Sequence, residues 1–315
     1  MNYLVFKEAS SLEKVISSSQ IALIMVTFNP DIELLKKILD KLQKEHAFKF
    51  VISDNASHNL SGIKRLCQIF PKIHLLTHSK NAGIGRAQND ALRFIFQKFP
   101  GVEYFCFLDQ DGYLAPTDVI TLCQDLEKLQ DQKAAIIGSN LQVPFLKWQL
   151  PTQQRYHQTY EVISSGSVIK KAAFAKLGLF YDKLFIDFID YEWCWRARKQ
   201  GYRVFVDSQV YLHHQLNWKK SEIRHGKNVI AAFRLYYVFR NGLYLMHSGR
   251  MLNQEINHWK ADLWQQFKFN VFYCPHRLQR LTLIIKGYLA SRKLTKANYL
   301  VSAITHSKMS SKSNL

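Results

Sequence analysis

Negative charge is the scarce commodity in this chain: its 315 residues carry 24 Asp and Glu against 43 Lys and Arg, a formal net charge of +19. That imbalance points to a phosphate-rich substrate, to nucleic acid or to an anionic membrane surface. Much of the excess lies after position 195, where basic residues alternate with aromatic ones; the first 130 residues are nearer balance. Cysteine is sparse too. Cys67, Cys106, Cys123, Cys194 and Cys274 form no Cys-x-x-Cys pair and sit in apolar or helical patterns, so buried thiols are expected, with no disulfide and no zinc. No run of eighteen apolar residues occurs, and no basic stretch followed by an apolar core opens the chain. The expected location is cytoplasmic, with peripheral contact at the inner face of a membrane as the further possibility. Two phosphate-binding signatures are also missing. Gly83-Ile84-Gly85 follows the third strand instead of the first and lacks a third glycine, and no Gly-Lys-Ser/Thr loop is present.

What is present is enough for one large α/β domain with a helical appendage, since hydrophobic residues make up 47% of the chain. The expected division is an extension at 1–19, a catalytic domain at 20–217, a basic amphipathic helical region at 218–306 and a disordered tail at 307–315. Ile21 to Val26 reads as a buried parallel strand, followed by the turn Thr27-Phe28-Asn29-Pro30 and a helix over Asp31 to Glu45. Further strands are predicted at Phe50 to Ile52, Ile73 to Leu76 and Tyr104 to Leu108, with helices through Phe99 and over Asp118 to Gln130. Four such units specify a mainly parallel sheet covered on both faces.

Polar residues recur just beyond each strand, where open α/β sheets bind ligands. Thr27, Asp54 and Asn55 offer donors and acceptors for a base and ribose, and Gly83 and Gly85 let backbone approach a phosphate. Asp109-Gln110-Asp111 closes the fourth strand. Its carboxylates, two residues apart, can face the same way and grip one hard divalent cation.

Beyond a strand predicted at Ala134 to Ile137, Leu141 to Tyr160 reads as an irregular substrate-facing insertion. Ser164-Ser165-Gly166-Ser167 then leads into a strand and a helix over Lys170 to Leu177. A second acidic cluster, Asp187, Asp190 and Glu192, precedes a helix over Trp193 to Gln200. A carboxylate there can take the proton of an attacking hydroxyl; Asp190 is the better base, and Glu192 suits acceptor hydroxyls or orienting the base. After strands at Arg203 to Val206 and Val210 to Leu212 come His213 and His214, either of which is an acceptable third ligand for manganese.

Taken in order, Thr27-Phe28-Asn29-Pro30, Ser53-Asp54-Asn55-Ala56-Ser57, Asn81 to Asn89, Asp109-Gln110-Asp111 and Phe188 to Arg196 resemble the inverting family 2 glycosyltransferases of the GT-A (nucleotide-diphospho-sugar transferase) fold. The rhamnosyltransferase-like branch is the most similar, and Arg234 to Asn241 looks like its C-terminal signature. The resemblance implies that Thr27, Asn29, Asp54 and Asn55 hold the nucleoside, and that Asn81, Gly83 and Arg86 lie along the ribose and diphosphate. It further implies that Asp109 and Asp111 bind Mg2+ or Mn2+ on the diphosphate, with His213 as third ligand, and that Asp190 is the base. The implied reaction carries L-rhamnose from dTDP-L-rhamnose to a glycan or lipid-linked oligosaccharide in bacterial cell-surface polysaccharide assembly, a UDP-sugar such as UDP-galactofuranose being the alternative donor. Two positions depart from the pattern. Gly112 stands where the branch has serine, and Ile189 where many members have an acid, which leaves Asp187, Asp190 and Glu192 all open as the base.

The basic C-terminal helices suit either an anionic bilayer or packing on the catalytic domain. A nucleic-acid-binding module would share the charge but leave the acidic pairs unexplained, so no nucleic acid is expected. A nicotinamide-dependent oxidoreductase lacks its glycine fingerprint.

Overall fold

Alternation along the strands divides the interior into two cores. The computed structural model describes residues 15–43, 47–142, 153–214, 223–224 and 227–310. Among them, strands β1 (Ile21–Thr27), β2 (Lys49–Asp54), β3 (Ile73–Thr77) and β4 (Tyr104–Asp109) run parallel in the order β3-β2-β1-β4. Successive side chains point to opposite faces of a strand. Ala22, Ile24, Val51, Phe105 and Phe107 therefore enter one core, and Ile21, Leu23, Met25, Phe50, Ile52, Cys106 and Leu108 the other. The second core is closed by helices α1 (Ile32–Gln43), α2 (Leu60–Ile69) and a later helix, Pro116–Lys128. The first is closed by α3 (Ile84–Lys98) and by helices from the second half of the chain.

Past β4 the sheet becomes mixed. The two-residue β5 (Gly112–Tyr113) precedes α4 (Pro116–Lys128), and β6 (Ala134–Gln142), β7 (Tyr156–Thr159) and β8 (Ser167–Lys170) follow. Helices α5 (Lys171–Leu177) and α6 (Ile189–Lys199) then lead to β9 (Arg203–His214). β8 lies antiparallel between β4 and β6, β9 is parallel to β6, and β5 and β7 pair antiparallel with β9. The carboxyl ends of β1, β2, β3, β4 and β9 thus open on one edge.

Several sequence expectations change. The first strand's approach is tied down, because Ile16 is buried in the second core; residues 1–14 lie outside the described ones. The stretch read as irregular contains β7, and residues 143–152 of it lie outside the described ones. Arg155 pins β7 by reaching Asp207 at 3.0 Å and Asp125 at 2.8 Å, partners too distant in sequence for local pattern to reveal. Helix α6 starts at Ile189 instead of Trp193, so Asp190 and Glu192 lie in its first turn, where carboxylates favour the helix dipole. The two short strands read around residue 208 are one strand whose register with β6 shifts between Ser139 and Asn140.

The C-terminal helices α7 (Ala232–His247), α8 (Ile256–Phe272) and α9 (Arg277–Ser310) pack on the first core through Leu235, Phe239, Leu245, Leu263 and Ile284. Backbone at 307–310, read as the start of a tail, is helical, for neither glycine nor proline interrupts the chain after Gly287; residues 311–315 lie outside the described ones. Among the described residues no helix is long and apolar enough to cross a membrane.

Candidate active site

The crevice is built from β1 outward. Register places Thr27 beside Asp54 and Val26 beside Asp109, so three of the expected positions are neighbours before any loop is considered. The Thr27 hydroxyl donates to Asp54 Oδ1 at 2.9 Å, and the same carboxylate accepts from the Ser57 amide at 2.9 Å and the Ser57 hydroxyl at 2.5 Å. Asn55 donates through Nδ2 to Asn81 Oδ1 at 2.8 Å and accepts the Ala82 N–H at 2.9 Å. Thr27, Asp54 and Asn55 are fully buried. Their polar atoms brace the three loops together, because buried polar groups must find partners. The exposed residues here are Phe28, whose ring is 43% accessible, and Asn29, whose Oδ1 accepts the His58 N–H at 2.8 Å.

Gly83 has φ +90°, and a Cβ there would lie 2.5 Å from the Phe185 carbonyl oxygen. The close approach it permits on that side is by the protein's own 182–188 segment. Ile84 seals the contact by donating its N–H to that carbonyl at 2.7 Å. Arg86, half-exposed at the start of α3, pairs with Asp90 at 3.0 Å and Asp182 at 3.7 Å.

One short loop joins the acidic pair to the second cluster. The Asp109 N–H donates to Ser165 Oγ at 3.0 Å, and the adjacent Ser164 N–H donates to Asp190 Oδ2 at 3.0 Å. Consecutive residues thus hold Asp109 and Asp190 at one place, 81 positions apart in sequence. Gln110 ties this corner to β1, accepting the Phe28 N–H at 2.8 Å and donating to the Phe28 carbonyl at 3.3 Å. Glycine at 112 suits the corner, because a Cβ would press on Ser165 Oγ at 3.1 Å.

The three candidate bases part company. Burial pushes the Asp190 carboxyl up to about 6, with Asp109's charge adding a smaller push and the N–H groups of Ser164 and Tyr191 opposing it. Glu192 is buried and ion-paired with Arg196 at 2.9 Å and Arg250 at 3.0 Å. Asp187 is held by Arg234 of α7. Burial works against the Arg234 charge, but Asp187, Asp109 and Asp190 outweigh it and hold the guanidinium above its ordinary value.

The expected metal ligands are two carboxylates, Asp109 and Asp111, and one imidazole, His213. Among the described residues no three His, Cys, Asp or Glu side chains gather to hold an ion, and the His213 ring lies parallel to Tyr113 at 6.3 Å between centroids. His213 is therefore not brought into a triad with Asp109 and Asp111. Two carboxylates still fit magnesium or manganese, which keep waters and substrate phosphates in the remaining positions.

The sequence showed Ser164 and Ser165 only as small residues able to let a sugar approach the backbone or to form a tight strand entry, Arg234 and Asn241 only as the ends of a signature, and Gln110 only as the middle of the acidic tripeptide. The small-residue run at 164–167 was the visible signal for two of them. Asn241, buried on α7, donates from Nδ2 to the carbonyls of Leu184 at 2.9 Å, Ile186 at 2.7 Å and Asp187 at 3.0 Å.

Known proteins give this geometry its context. The family model described as glycosyl transferase family 2 matches residues 22–178. The chain is 26% identical over 252 residues to the dTDP-rhamnosyl transferase RfbF of Shigella flexneri, covering 74% of this chain and 82% of that one. Among solved structures it is similar to the mannosyltransferase PcManGT from Pyrobaculum calidifontis in complex with GDP-Man and Mn2+, with TM-score 0.52, 14% identity, and 90% of this chain and 80% of that one covered. S. aureus TarS 1-349 gives the same TM-score of 0.52 at 14% identity, with 86% and 80% covered.

Proposed function

Because the chain belongs to the family 2 glycosyltransferases and has their GT-A fold, we propose that it transfers L-rhamnose from dTDP-L-rhamnose to a glycan acceptor with inversion at the anomeric carbon. The observation that carries the reading is the Ser164-Ser165 link, which sets a carboxyl of raised pKa beside the acidic pair at the carboxyl end of β4. Near neutral pH, Asp190 is ionised yet basic enough to accept a proton, the compromise that general-base catalysis requires. Its carboxylate takes the proton of the acceptor hydroxyl as that oxygen attacks the anomeric carbon, and the bond to the dTDP oxygen breaks on the opposite face. One displacement inverts the centre. Asp109 and Asp111 would hold a divalent ion, and the chemistry it would supply is electrostatic stabilisation of the diphosphate leaving group. The exposed Phe28 ring supports a stacking face for the thymine.

The rhamnosyl donor is supported by the Shigella relative, and the metal by the Mn2+ complex of the Pyrobaculum enzyme. A lipid-linked acceptor on an anionic membrane is supported by charge: no Asp or Glu follows Asp262, while Lys and Arg recur from Lys268 to Lys312. On that reading the enzyme works in the cytoplasm, in peripheral contact with the membrane, in cell-surface polysaccharide assembly.

The test is a panel of sugar nucleotides offered to the purified protein with and without Mn2+ or Mg2+. Metal-dependent turnover of dTDP-L-rhamnose above all others is expected. Exclusive use of a UDP-sugar such as UDP-galactofuranose would overturn the donor, and full activity in excess chelator would overturn the metal.

A further inference from the structure

The segment that delivers Asp187 and Asp190 is held in a conformation it would not keep alone. Phe185, Asp187 and Phe188 have φ of 68°, 65° and 67°, in the left-handed region that L side chains rarely occupy. Such residues persist only where their surroundings over-determine them. On one side the restraint is Gly83, against whose α-carbon the Phe185 carbonyl rests. On the other it is α7. Asn241 there directs the two hydrogens of its amide nitrogen at three carbonyls of this segment, Leu184, Ile186 and Asp187, at 2.9, 2.7 and 3.0 Å, so that at least one hydrogen is shared. Its own oxygen accepts Arg240 Nε at 2.8 Å, which fixes the amide so that the donor end faces the segment. Arg240 also donates to the carbonyls of Lys183, at 3.2 Å, and Leu184. The Tyr237 ring lies nearly flat on Phe185 at 4.8 Å. A single turn of α7 therefore shapes the backbone that leads into the first turn of α6.

We propose that Asn241, oriented by Arg240, is a positioning residue for the reaction: it acts through the 184–187 backbone to set where the Asp190 carboxylate stands relative to the acceptor hydroxyl. It touches neither donor nor acceptor. A wholly apolar residue of the same size would fill the space but withdraw the side-chain donor from the Ile186 and Asp187 carbonyls, Leu184 keeping Arg240, so packing and positioning are separable. The inference rests on the base role of Asp190, and α7 lies beyond the 22–178 stretch matched by the family model.

The test uses the full chain with Asn241→Leu, which keeps the volume, and Asn241→Ser, which keeps one donor. Asn241→Leu should lower kcat about 100-fold, the scale of a 1 Å misplacement of a reacting group, while the donor KM stays within about twofold. Its pH–rate midpoint should move from the wild-type value, because the N–H groups and charges around Asp190 are rearranged. Asn241→Ser should recover part of the lost kcat. Wild-type kcat in Asn241→Leu would overturn the proposal, as would a kcat loss with an unmoved pH profile and a donor KM raised in proportion, the pattern of general loosening. Asp190→Asn, run alongside, separates the two readings. If it turns over normally, the base assignment fails whatever Asn241 does; if it is inactive and Asn241→Leu is not, the positioning role alone fails.

Discussion

The two walls of the crevice are built on different principles. On the wall formed by β1, β2 and β3, Thr27, Asp54, Ser57, Asn55 and Asn81 satisfy one another within a span of 55 positions, strand register pairing Thr27 with Asp54 and the short loops beyond the strands supplying the rest. On the wall carrying Asp187 and Asp190, three left-handed residues are held by groups 50 and more positions away, on α7. The first wall is preformed by its own hydrogen bonds. The second is bent into shape from outside. The difference teaches that rigidity for donor binding can be encoded locally, whereas placing a base beside two separate substrates takes the whole chain. It also separates what a substitution should do on each side.

The sharpest break in the comparison is Asp190→Asn. Loss of a general base should lower kcat by about 10³-fold with donor affinity retained, measured by transfer rate and by nucleotide-sugar binding. In the wild type, kcat/KM should rise with pH through about 6, because the ionised form of a group whose pKa is raised by burial is the active one. The stability linkage has the opposite sense. The neutral carboxyl is the form favoured by folding, so its contribution is present in acid and is lost as pH rises through about 6; Asp190→Asn should therefore melt higher than wild type at pH 8.

Next in size is Asp111→Ala. Loss of an outer-shell partner of a metal ligand costs about 10–100-fold in affinity, and removal of a ligand itself should weaken Mn2+-dependent dTDP binding by at least that much. Calorimetric titration with and without chelator measures it, and equal affinity in both proteins would remove Asp111 from the metal. Gly83→Ala tests the seam where the two walls meet. A Cβ 2.5 Å from the Phe185 oxygen at φ +90° should destabilise the fold by about 1–3 kcal/mol and depress kcat together, read by urea unfolding and turnover. The smallest effect is expected for Thr27→Val, which deletes one buried hydrogen bond on the preformed wall. A loss of about 1 kcal/mol in stability, with kcat changed less than in Gly83→Ala, would sharpen the contrast.

Legibility in the sequence followed the same divide. The apolar runs gave the parallel strands to within a residue or two, and polar clusters at their ends marked Asp54, Asn81 and Asp109 as neighbours. Their jobs were less legible. Residue type announces a donor or acceptor but not its partner, so the hydrogen bonds by which Asp54 and Asn55 brace the loops could not be read from it. Gly83 read as room for phosphate; the glycine is visible in the sequence, whereas its φ of +90° and the Phe185 carbonyl beside it are not. Glu192 and Asp190 sit two positions apart with like chemistry. Only the arginines that fold back from Arg196 and Arg250 distinguish a neutralised brace from a carboxylate with a raised pKa.

By itself, then, the sequence determined the period-two strands, the two-faced sheet and the set of acidic residues available for chemistry, because periodicity and side-chain type act over a few residues. Tertiary structure alone decided which acid is buried and which is paired, which glycine lies against a distant stretch of backbone, and how α7 bends the 184–188 segment. Burial, charge pairing and left-handed strain depend on neighbours that only the folded chain supplies.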